Sequence, residues 1–408
     1  MIVYLDNSST TKASEAVAAS VSRVLTEEYG NPSSVHTIGQ RAERILKDSR
    51  KNVAALIGAK PGQIIFTGSG TEADNLALHN AFKTIARTEG RKLITTQIEH
   101  PAVLEPALLL EKQGAKVVRL PVDGQGLVRV DLLKEALDED TAIVSVMHVN
   151  NEIGTIQPIG EIGRILSAFV SGSGLAEHQI LLHTDAVQSY AKLPVDIRSE
   201  DFKHVDFLSF SAHKIHGPKG VGALFAAHPE RVDAIIRGGG QEGGMRSGTE
   251  NMPGIAGFAT AALVDVEAHA RYVAEVRQYL LDGIIDTVND IRVNSPRESS
   301  VTGEAGFCSP YILSVSFLGT RGEVILHELE SKGIFLSTGS ACASLGKGGG
   351  GGKGKMSHVL SAIGLTDKEA EGTLRFSFSR YNTLAEMDYV LEHLKTAVDR
   401  FRRIGTFR

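Results

Sequence analysis

The chain has 408 residues, 42% of them hydrophobic, so it can bury a large core and is expected to form two domains. A net charge of -5, with no basic cluster interleaved with aromatic residues, argues against a polyanion-binding protein. It has no membrane-length apolar stretch, no secretory signal pattern and only two cysteines, which together favour a soluble protein of a reducing compartment.

From residue 63 onward, the hydrophobic pattern predicts strands that alternate with helices. Seven strands are predicted, over 63–67, 93–98, 116–120, 141–149, 179–184, 205–210 and 221–227. Strands separated by helices of this length form parallel sheets, so the pattern predicts a mostly parallel α/β sheet of seven strands, covered by helices. Ligands of such sheets bind beyond the carboxyl ends of the strands, which makes the residues just after each strand the functional candidates.

After residue 254 the composition changes, and a smaller α+β unit is predicted. It begins with one long helical region over 256–288 and continues with strands near 311–317, 334–336 and 374–377. The expected division is a large domain over 14–260 and a small domain formed by 1–13 and 261–408. A tract of glycine and lysine over 346–355 is predicted to be flexible, and it is not a phosphate-binding P-loop because no Gly-Lys pair there precedes Ser or Thr.

A lysine stands at the end of the sixth predicted strand. The strand delivers Ser211, His213 and Lys214 to a turn that Gly217 and Pro218 close. An ammonium group at a buried strand end must be paired or neutralised, and condensation with an aldehyde neutralises it. Enzymes that use pyridoxal 5'-phosphate (PLP) do this through a lysine Schiff base. By itself the stretch is equally compatible with an ordinary surface turn and a solvated lysine.

Other strand ends offer groups that suit the same cofactor. Gly70 and Thr71 open a helix, where backbone N–H groups and a hydroxyl can bind phosphate, although many helices begin this way. His100 can stack on a planar ring or be an ordinary structural histidine. A carboxylate at Asp185 can pair with a pyridinium nitrogen, and Asn151 offers an amide. Four of the strand ends thus present the parts of a PLP site: a phosphate cradle, a flat ring, an anion and a Schiff-base lysine.

A metal site is the competing interpretation of the histidines near these strand ends. His183 with Asp185, or His213 with His216, could contribute ligands. Neither pair belongs to a complete ligand set at a recognisable spacing, so no metal is expected.

Three motifs carry a resemblance to a known family. They are Ser-Ala-His-Lys over 211–214, Met-Arg-Ser-Gly-Thr over 245–249 and Gly-Ser-Ala-Cys-Ala-Ser over 339–344. With further matching stretches from residue 4 to residue 380, in the family's order, the chain resembles cysteine desulfurases of the NifS/IscS type. These are fold-type-I, class-V aminotransferase PLP enzymes, which implies the large and small domains described above.

The resemblance implies a role for each matching residue. Lys214 would carry PLP and abstract the α-proton of the substrate, while His100 would stack on the ring and assist proton transfer. Asp185 would pair with the ring nitrogen, and Gln188 would hydrogen-bond the phenolic oxygen. The remaining implied contacts are the phosphate contacts of Gly70, Thr71, Ser211 and His213, the phosphate contact of Thr249 across a homodimer interface, and the substrate-carboxylate contacts of Asn151 and Arg375.

Cys342 is the implied sulfur acceptor. It lies among small polar residues beside the glycine tract, and a mobile, exposed thiol suits a nucleophile that takes sulfur and carries it to a partner. The implied products are L-alanine and a persulfide on Cys342, for iron–sulfur cluster assembly or for thiolation of tRNA and cofactors by an acceptor protein in the cytoplasm. Cys308, which precedes an apolar run, is expected to be structural.

Two alternatives remain at this stage. Another PLP reaction on the same scaffold, such as selenocysteine lyase or aminotransferase chemistry, would not require Cys342. A non-catalytic partner that retains the fold as a scaffold would require neither Lys214 nor bound PLP.

Overall fold

The computed structural model of the chain describes residues 1–83, 90–176, 179–338 and 356–405. The strands are β1 Val3–Tyr4, β2 Ile64–Thr67, β3 Lys92–Thr96, β4 Lys116–Leu120, β5 Thr141–Ser145, β6 Leu181–Asp185, β7 Phe207–Ser211, β8 Gly222–Ala226, β9 Ile291–Val293, β10 Ile312–Phe317, β11 Ile334–Phe335 and β12 Thr373–Ser377. The helices are α1 Glu15–Thr26, α2 Thr37–Ala55, α3 Gly70–Lys83, α4 Pro101–Lys112, α5 Val130–Ala136, α6 Ile159–Ser173, α7 Met252–Ala261, α8 Val266–Thr287, α9 Gly322–Glu330, α10 His358–Ala362, α11 Asp367–Glu371 and α12 Leu384–Gly405.

The largest sheet of the structure has seven strands. Its strand order is β2-β8-β7-β6-β5-β3-β4. The pairs from β7 to β4 are parallel, whereas β8 runs antiparallel to both β7 and β2. The prediction of a mostly parallel, helix-covered sheet is therefore confirmed. The carboxyl ends of β5, β6 and β7 meet at one edge, as such a sheet requires.

Aromatic packing holds strand β7 in place. The ring of Phe210 on β7 stacks on Tyr190 with 4.2 Å between centroids, and Phe258 of α7 meets Phe210 edge-on at 6.0 Å. All three side chains are fully buried. Aromatic side chains of this size contribute strongly to a core, so this cluster fixes the end of β7 and the turn that follows it.

Two predicted elements differ from the observed ones. The strand predicted over 141–149 ends at Ser145. Beyond it, Val149 forms an antiparallel bridge with Ile156, around a turn in which the Asn150 side chain accepts from the Glu152 and Ile153 amides. The single helix predicted over 256–288 is two helices, α7 and α8. Asp265 starts α8 by accepting a hydrogen bond from the Ala268 amide at 3.0 Å. Helix α7 is buried on nearly every side, so its residues are mostly apolar. In the sequence they run on into the apolar residues of α8, and the pattern therefore predicts one helix.

A second core surrounds the antiparallel sheet β12-β10-β9, against which α8 and α12 pack. The N-terminal strand β1 pairs in parallel with β11, and Asp6 forms a bridge with Ser377 at the end of β12. The N-terminal residues are thereby attached to the C-terminal part of the chain. The domain division at residues 14–260 stays a prediction.

No helix among the described residues is both long and apolar enough to cross a membrane.

Candidate active site

Lys214 ends the short turn that follows β7. Residues Ala212–Lys214 form one turn of 3-10 helix, and the Lys214 ammonium donates to the backbone carbonyls of Ser8 and Ser9 at 2.5 and 2.8 Å. The N-terminal segment therefore lies over the turn. Lys214 is half-buried and hydrogen-bonded inside a site, in contrast to the solvated surface lysine that the sequence also allowed.

The N-terminus of α3 carries groups that can bind a phosphate. Gly70 opens this helix, and a Cβ added to it would lie 2.7 Å from a methyl of Val187 and 3.5 Å from the Cβ of Ser211. The hydroxyl of Ser211 is buried without a hydrogen-bond partner among the described residues. An orphaned hydroxyl beside free helix N–H groups is what a bound anion would satisfy. Thr71, the next residue of the helix, is exposed.

His213 lies between Ser211 and Lys214, and its Nδ1 is 3.2 Å from the hydroxyl of Thr10. Burial, followed by repulsion from Lys214, lowers the pKa of His213 to about 4. The imidazole is therefore neutral near pH 7, and it can act as a hydrogen-bond donor toward phosphate through the ring nitrogen that carries the proton.

Asp185 is the last residue of β6, and its carboxyl group is buried. One oxygen accepts a hydrogen bond from the Val187 amide at 2.9 Å. Burial, followed by repulsion from Asp74, raises the pKa of Asp185 to about 7. Such a carboxyl needs a cation to stabilise its charged form, and a protonated pyridine nitrogen supplies one. The chemistry of this site therefore fits PLP.

His100 caps helix α4. Its Nδ1 accepts a hydrogen bond from the Ala102 amide at 3.1 Å, which assigns the proton of the neutral ring to Nε2. Burial and then repulsion from Lys214 and His358 lower the pKa of His100 to about 4. A neutral ring near the Lys214 ammonium is compatible with stacking on a cofactor and with proton transfer.

Gln188 lies in the turn after β6. Its side-chain amide nitrogen donates to the Ser8 carbonyl at 3.0 Å, the same oxygen that accepts from Lys214. Its amide oxygen accepts a hydrogen bond from Lys192 at 3.0 Å. The structure thus brings Gln188 and Lys214 together on one acceptor, although they are distant from Ser8 in the sequence.

Arg375 on β12 reaches the same edge of the large sheet. One terminal nitrogen donates to Asp6 at 2.9 Å and to Ser9 at 2.7 Å, and the other donates to the Asn151 carbonyl at 2.9 Å. Its Nε is buried with no partner among the described residues. A guanidinium with one unused donor can bind a carboxylate. Arg375 contacts the backbone of Asn151, and the binding of a substrate carboxylate by these two residues stays a prediction.

Asp74 and His183 are buried near Asp185, and no motif or strand-end position in the sequence indicates a role for Asp74. His183 Nε2 lies 3.4 Å from Asp74 and 3.0 Å from the Ser209 hydroxyl, while its Nδ1 lies 2.8 Å from the Ser145 hydroxyl. Burial lowers the pKa of His183 to about 4 and raises that of Asp74 to about 7. His183 is therefore neutral and satisfied by hydroxyl groups. Among the described residues, no group of three or more His, Cys, Asp or Glu is arranged to hold a metal ion.

The segment that carries Thr249 is attached to the phosphate-binding end of α3. Arg246 donates to Glu72 at 2.8 Å, and Glu72 accepts a hydrogen bond from the Gly68 amide at 2.8 Å. Glu242 of the same segment forms a bidentate pair with Arg50 at 2.6 Å. Thr249 itself is exposed. Its contact with a second subunit stays a prediction.

The two cysteines have different positions. Cys308 is fully buried, its sulfur lies 3.4 Å from the Ile312 carbonyl, and burial raises the pKa of its thiol. These features suit a structural residue, because a nucleophilic thiol needs access and a lowered pKa. Cys342 and the tract over 346–355 lie outside the described residues.

Comparison with known proteins places this chain among characterised relatives. Residues 3–390 match the family described as Aminotransferase class-V. The chain is 38% identical to Cysteine desulfurase IscS of Dictyoglomus turgidum, covering 100% of this chain and 97% of that protein. It is 39% identical to a cysteine desulfurase of Trichormus azollae, covering 100% and 95%.

Solved structures are similar over nearly the whole chain. A NifS-like protein matches with a TM-score of 0.85 and 36% identity, covering 98% of this chain and 100% of that one. SspA, solved in complex with cysteine, matches with a TM-score of 0.76 and 32% identity, covering 93% and 100%. The matches span both the seven-stranded sheet and the three-stranded sheet.

Proposed function

This chain belongs to the class-V aminotransferase family of PLP-dependent enzymes, as a cysteine desulfurase of the NifS/IscS type, and we propose that it transfers the sulfur of L-cysteine to its own Cys342. The observation that carries the proposal is the convergence of Lys214, Asp185 and the orphaned Ser211 hydroxyl at one sheet edge. Each of these groups suits one part of PLP: the Lys214 amine suits its aldehyde, the Asp185 carboxyl its ring nitrogen and the Ser211 hydroxyl its phosphate.

Each residue of the site has its own role toward the cofactor or the substrate. Bound PLP supplies the electron sink that makes the α-proton of an attached amino acid acidic. Lys214 removes that proton, and the neutral imidazole of His100 holds a proton on Nε2 beside it. Arg375 and Asn151 bind the substrate carboxylate, Asp185 and Gln188 hold the ring, and the phosphate contacts are Gly70, Thr71, Ser211, His213 and, from the second subunit, Thr249.

Cys342 performs the sulfur transfer. Its thiolate attacks the sulfur of the bound cysteine, so that an S–S bond forms while the substrate Cβ–S bond breaks. The electron pair of the broken bond stays on carbon, which takes up a proton and completes the methyl group of alanine. The persulfide then passes to an acceptor protein for iron–sulfur cluster assembly or for thiolation of tRNA and cofactors.

We also propose that the enzyme is a cytoplasmic homodimer. Support for the compartment comes from the chemistry, since a reducing environment keeps the Cys342 thiol available between turnovers. Support for the dimer comes from Thr249, an exposed residue on a segment that Arg246 and Glu242 attach firmly to the cofactor-binding side of the chain.

Cys342→Ala tests the assignment of the sulfur acceptor. With L-cysteine and a reductant, we expect both alanine and sulfide release to fall by about 100-fold or more, because the nucleophile is lost. The visible absorption of bound PLP should stay unchanged. Cys308→Ala is the matched control, since it removes the other thiol, and it should retain activity. Full activity of Cys342→Ala would show that another route releases the sulfur, as in a lyase.

A further inference from the structure

Lys192 is a buried lysine that the proposed mechanism does not use. The residue is only 5% exposed, and its ammonium donates one hydrogen bond, to the amide oxygen of Gln188 at 3.0 Å. The ring centroid of Tyr311 lies 5.6 Å away. No carboxylate among the described residues pairs with it, and its charged neighbours are Lys214 and Arg375, both cations. A buried ammonium in such surroundings is costly unless an anion compensates it.

The cavity beside Lys192 has no carboxylate among the described residues that line it. Its ionisable side chains, besides Lys192, are those of Lys214, His216, His269, Arg380 and Tyr311. Burial, and then repulsion from Lys214 and Arg375, lowers the pKa of Lys192 to about 7. Below about pH 7, Lys192 therefore carries a positive charge close to Lys214, and no carboxylate among the described residues pairs with it. A bound anion on the cofactor side would provide the missing partner.

Lys192 also determines which way the Gln188 amide points. An ammonium group can only donate hydrogen bonds, so the Gln188 oxygen must face Lys192. The Gln188 nitrogen then faces the Ser8 carbonyl at 3.0 Å, where Lys214 also donates. The Ser8 carbonyl can only accept, so it favours the same orientation, and a flipped amide would face Lys192 with a second donor and Ser8 with a second acceptor.

We propose that Lys192 is a positioning residue for the cofactor: it directs the Gln188 N–H toward the phenolic oxygen of PLP and supplies the positive charge that stabilises this oxygen in its ionised form. The proposal rests on the proposed function, because it assumes PLP at Lys214. The proposal gives a function to a buried cation. If only packing mattered at this position, an apolar side chain of similar size would be at least as stabilising.

Lys192→Met tests the proposal, since methionine is apolar and close to lysine in length. The readout is the pH midpoint at which the visible band of bound PLP changes as the Lys214–cofactor linkage loses its proton. Removal of a nearby positive charge stabilises the protonated linkage, so the midpoint should rise by about one pH unit. The dissociation constant of PLP should increase by about tenfold.

Three controls separate positioning from other effects. Lys203→Met removes an exposed lysine that forms a surface ion pair with Glu200, and it should leave the midpoint unchanged. In a Gln188→Leu background, the shift caused by Lys192→Met should shrink, because the amide that transmits it is absent. The thermal midpoint of unfolding of the Lys192→Met apoprotein should not fall, since a buried charge is removed. If that variant does not fold, Lys192→Gln, which keeps an N–H donor, should give a smaller shift in the same direction.

Two outcomes overturn the inference. An unchanged midpoint in Lys192→Met, or an equal shift with and without Gln188, would show that Lys192 does not act on the cofactor through this amide. The proposed function fails separately, if the wild-type protein develops no visible band with PLP. A wild-type band with an unaffected Lys192→Met variant would therefore reject only the role of Lys192.

Discussion

Glu99 shows how strongly burial changes the pKa of a single residue in this protein. Its carboxyl group is fully buried, with the Thr96 hydroxyl at 2.6 Å and the Met147 amide at 3.0 Å. Burial raises its pKa to about 8, with Asp185 and Asp74 adding repulsion and the two hydrogen bonds opposing the shift. At neutral pH this carboxyl is protonated in the folded apoprotein and ionised in the unfolded chain.

The stabilising effect of Glu99 protonation should therefore depend on pH. Because the folded pKa lies above the ordinary value of 4.5, the contribution is fully present below about pH 4.5 and is lost as pH rises through about 8. Glu99→Gln removes this titration. We expect the variant apoprotein to gain stability relative to wild type between pH 5 and pH 8, by on the order of 3 kcal/mol.

Thermal unfolding of both apoproteins across this pH range measures the effect. The difference between their midpoints should change steadily with pH. A difference that stays constant from pH 5 to pH 8 would mean that Glu99 is not held protonated by burial.

At the scale of elements, the cofactor site depends on how closely β8 approaches the start of α3. Gly222 opens β8 and pairs with Thr67 on one side and with Ser211 on the other. A Cβ at this position would lie 2.5 Å from the carbonyl carbon of Ser69 and 2.8 Å from the amide nitrogen of Gly70. Only a residue without a side chain lets the phosphate-binding turn lie against the sheet.

Gly222→Ala should therefore weaken PLP binding without unfolding the protein. The added methyl group must displace the Ser69–Gly70 backbone, and the loss of one or two charge-assisted hydrogen bonds lowers affinity by about 10- to 100-fold. Titration of apoprotein with PLP measures the affinity, and far-UV circular dichroism monitors the fold. Gly62→Ala is the matched control, because no atom lies within 4 Å of its added Cβ. Equal PLP affinities for the two variants would contradict this account.

At the scale of the whole molecule, the proposed dimer makes each site depend on two chains. The segment carrying Thr249 is attached to its own subunit through Arg246 and Glu72, while Thr249 itself points outward as an exposed residue. If Thr249 completes the neighbouring site, a subunit can lack Thr249 and still bind PLP when its partner supplies that residue.

Mixed dimers test this dependence. Lys214→Ala and Thr249→Ala subunits are each expected to form weak or inactive homodimers. In the mixed dimer, the Thr249→Ala subunit has an intact Lys214 and receives Thr249 from its partner, so one complete site forms. Desulfurase activity of differently tagged, co-purified mixed dimers should reach about half that of wild type. Activity no higher than that of the two separate homodimers would mean that Thr249 does not act across the interface.

Local chemistry determined which residues are available for catalysis. Lys214 follows a buried strand, Gly70 opens a helix, and Asp185 ends a strand, and each of these positions depends only on neighbouring residues in the sequence. Hydrophobic periodicity therefore predicted the central sheet and the edge on which the site lies. Periodicity could not separate α7 from α8, because an all-round buried helix and an amphipathic one share a continuous run of apolar residues.

Tertiary structure decided what surrounds those residues. Gln188 and Lys214 meet only at the carbonyl of Ser8, about half the chain away, and Arg375 meets Asp6 from the opposite end of the sequence. Segments packed over the strand ends bury both His100 and Lys192. This burial lowers the pKa of His100, so that its ring is neutral, and it places Lys192 where no carboxylate among the described residues pairs with it. Hydrogen bonds and desolvation depend on distances between remote parts of the chain, and no pattern of neighbouring residues records those distances. The sequence by itself therefore predicted the candidate catalytic groups, and only the folded chain determined their burial, hydrogen bonds and orientation.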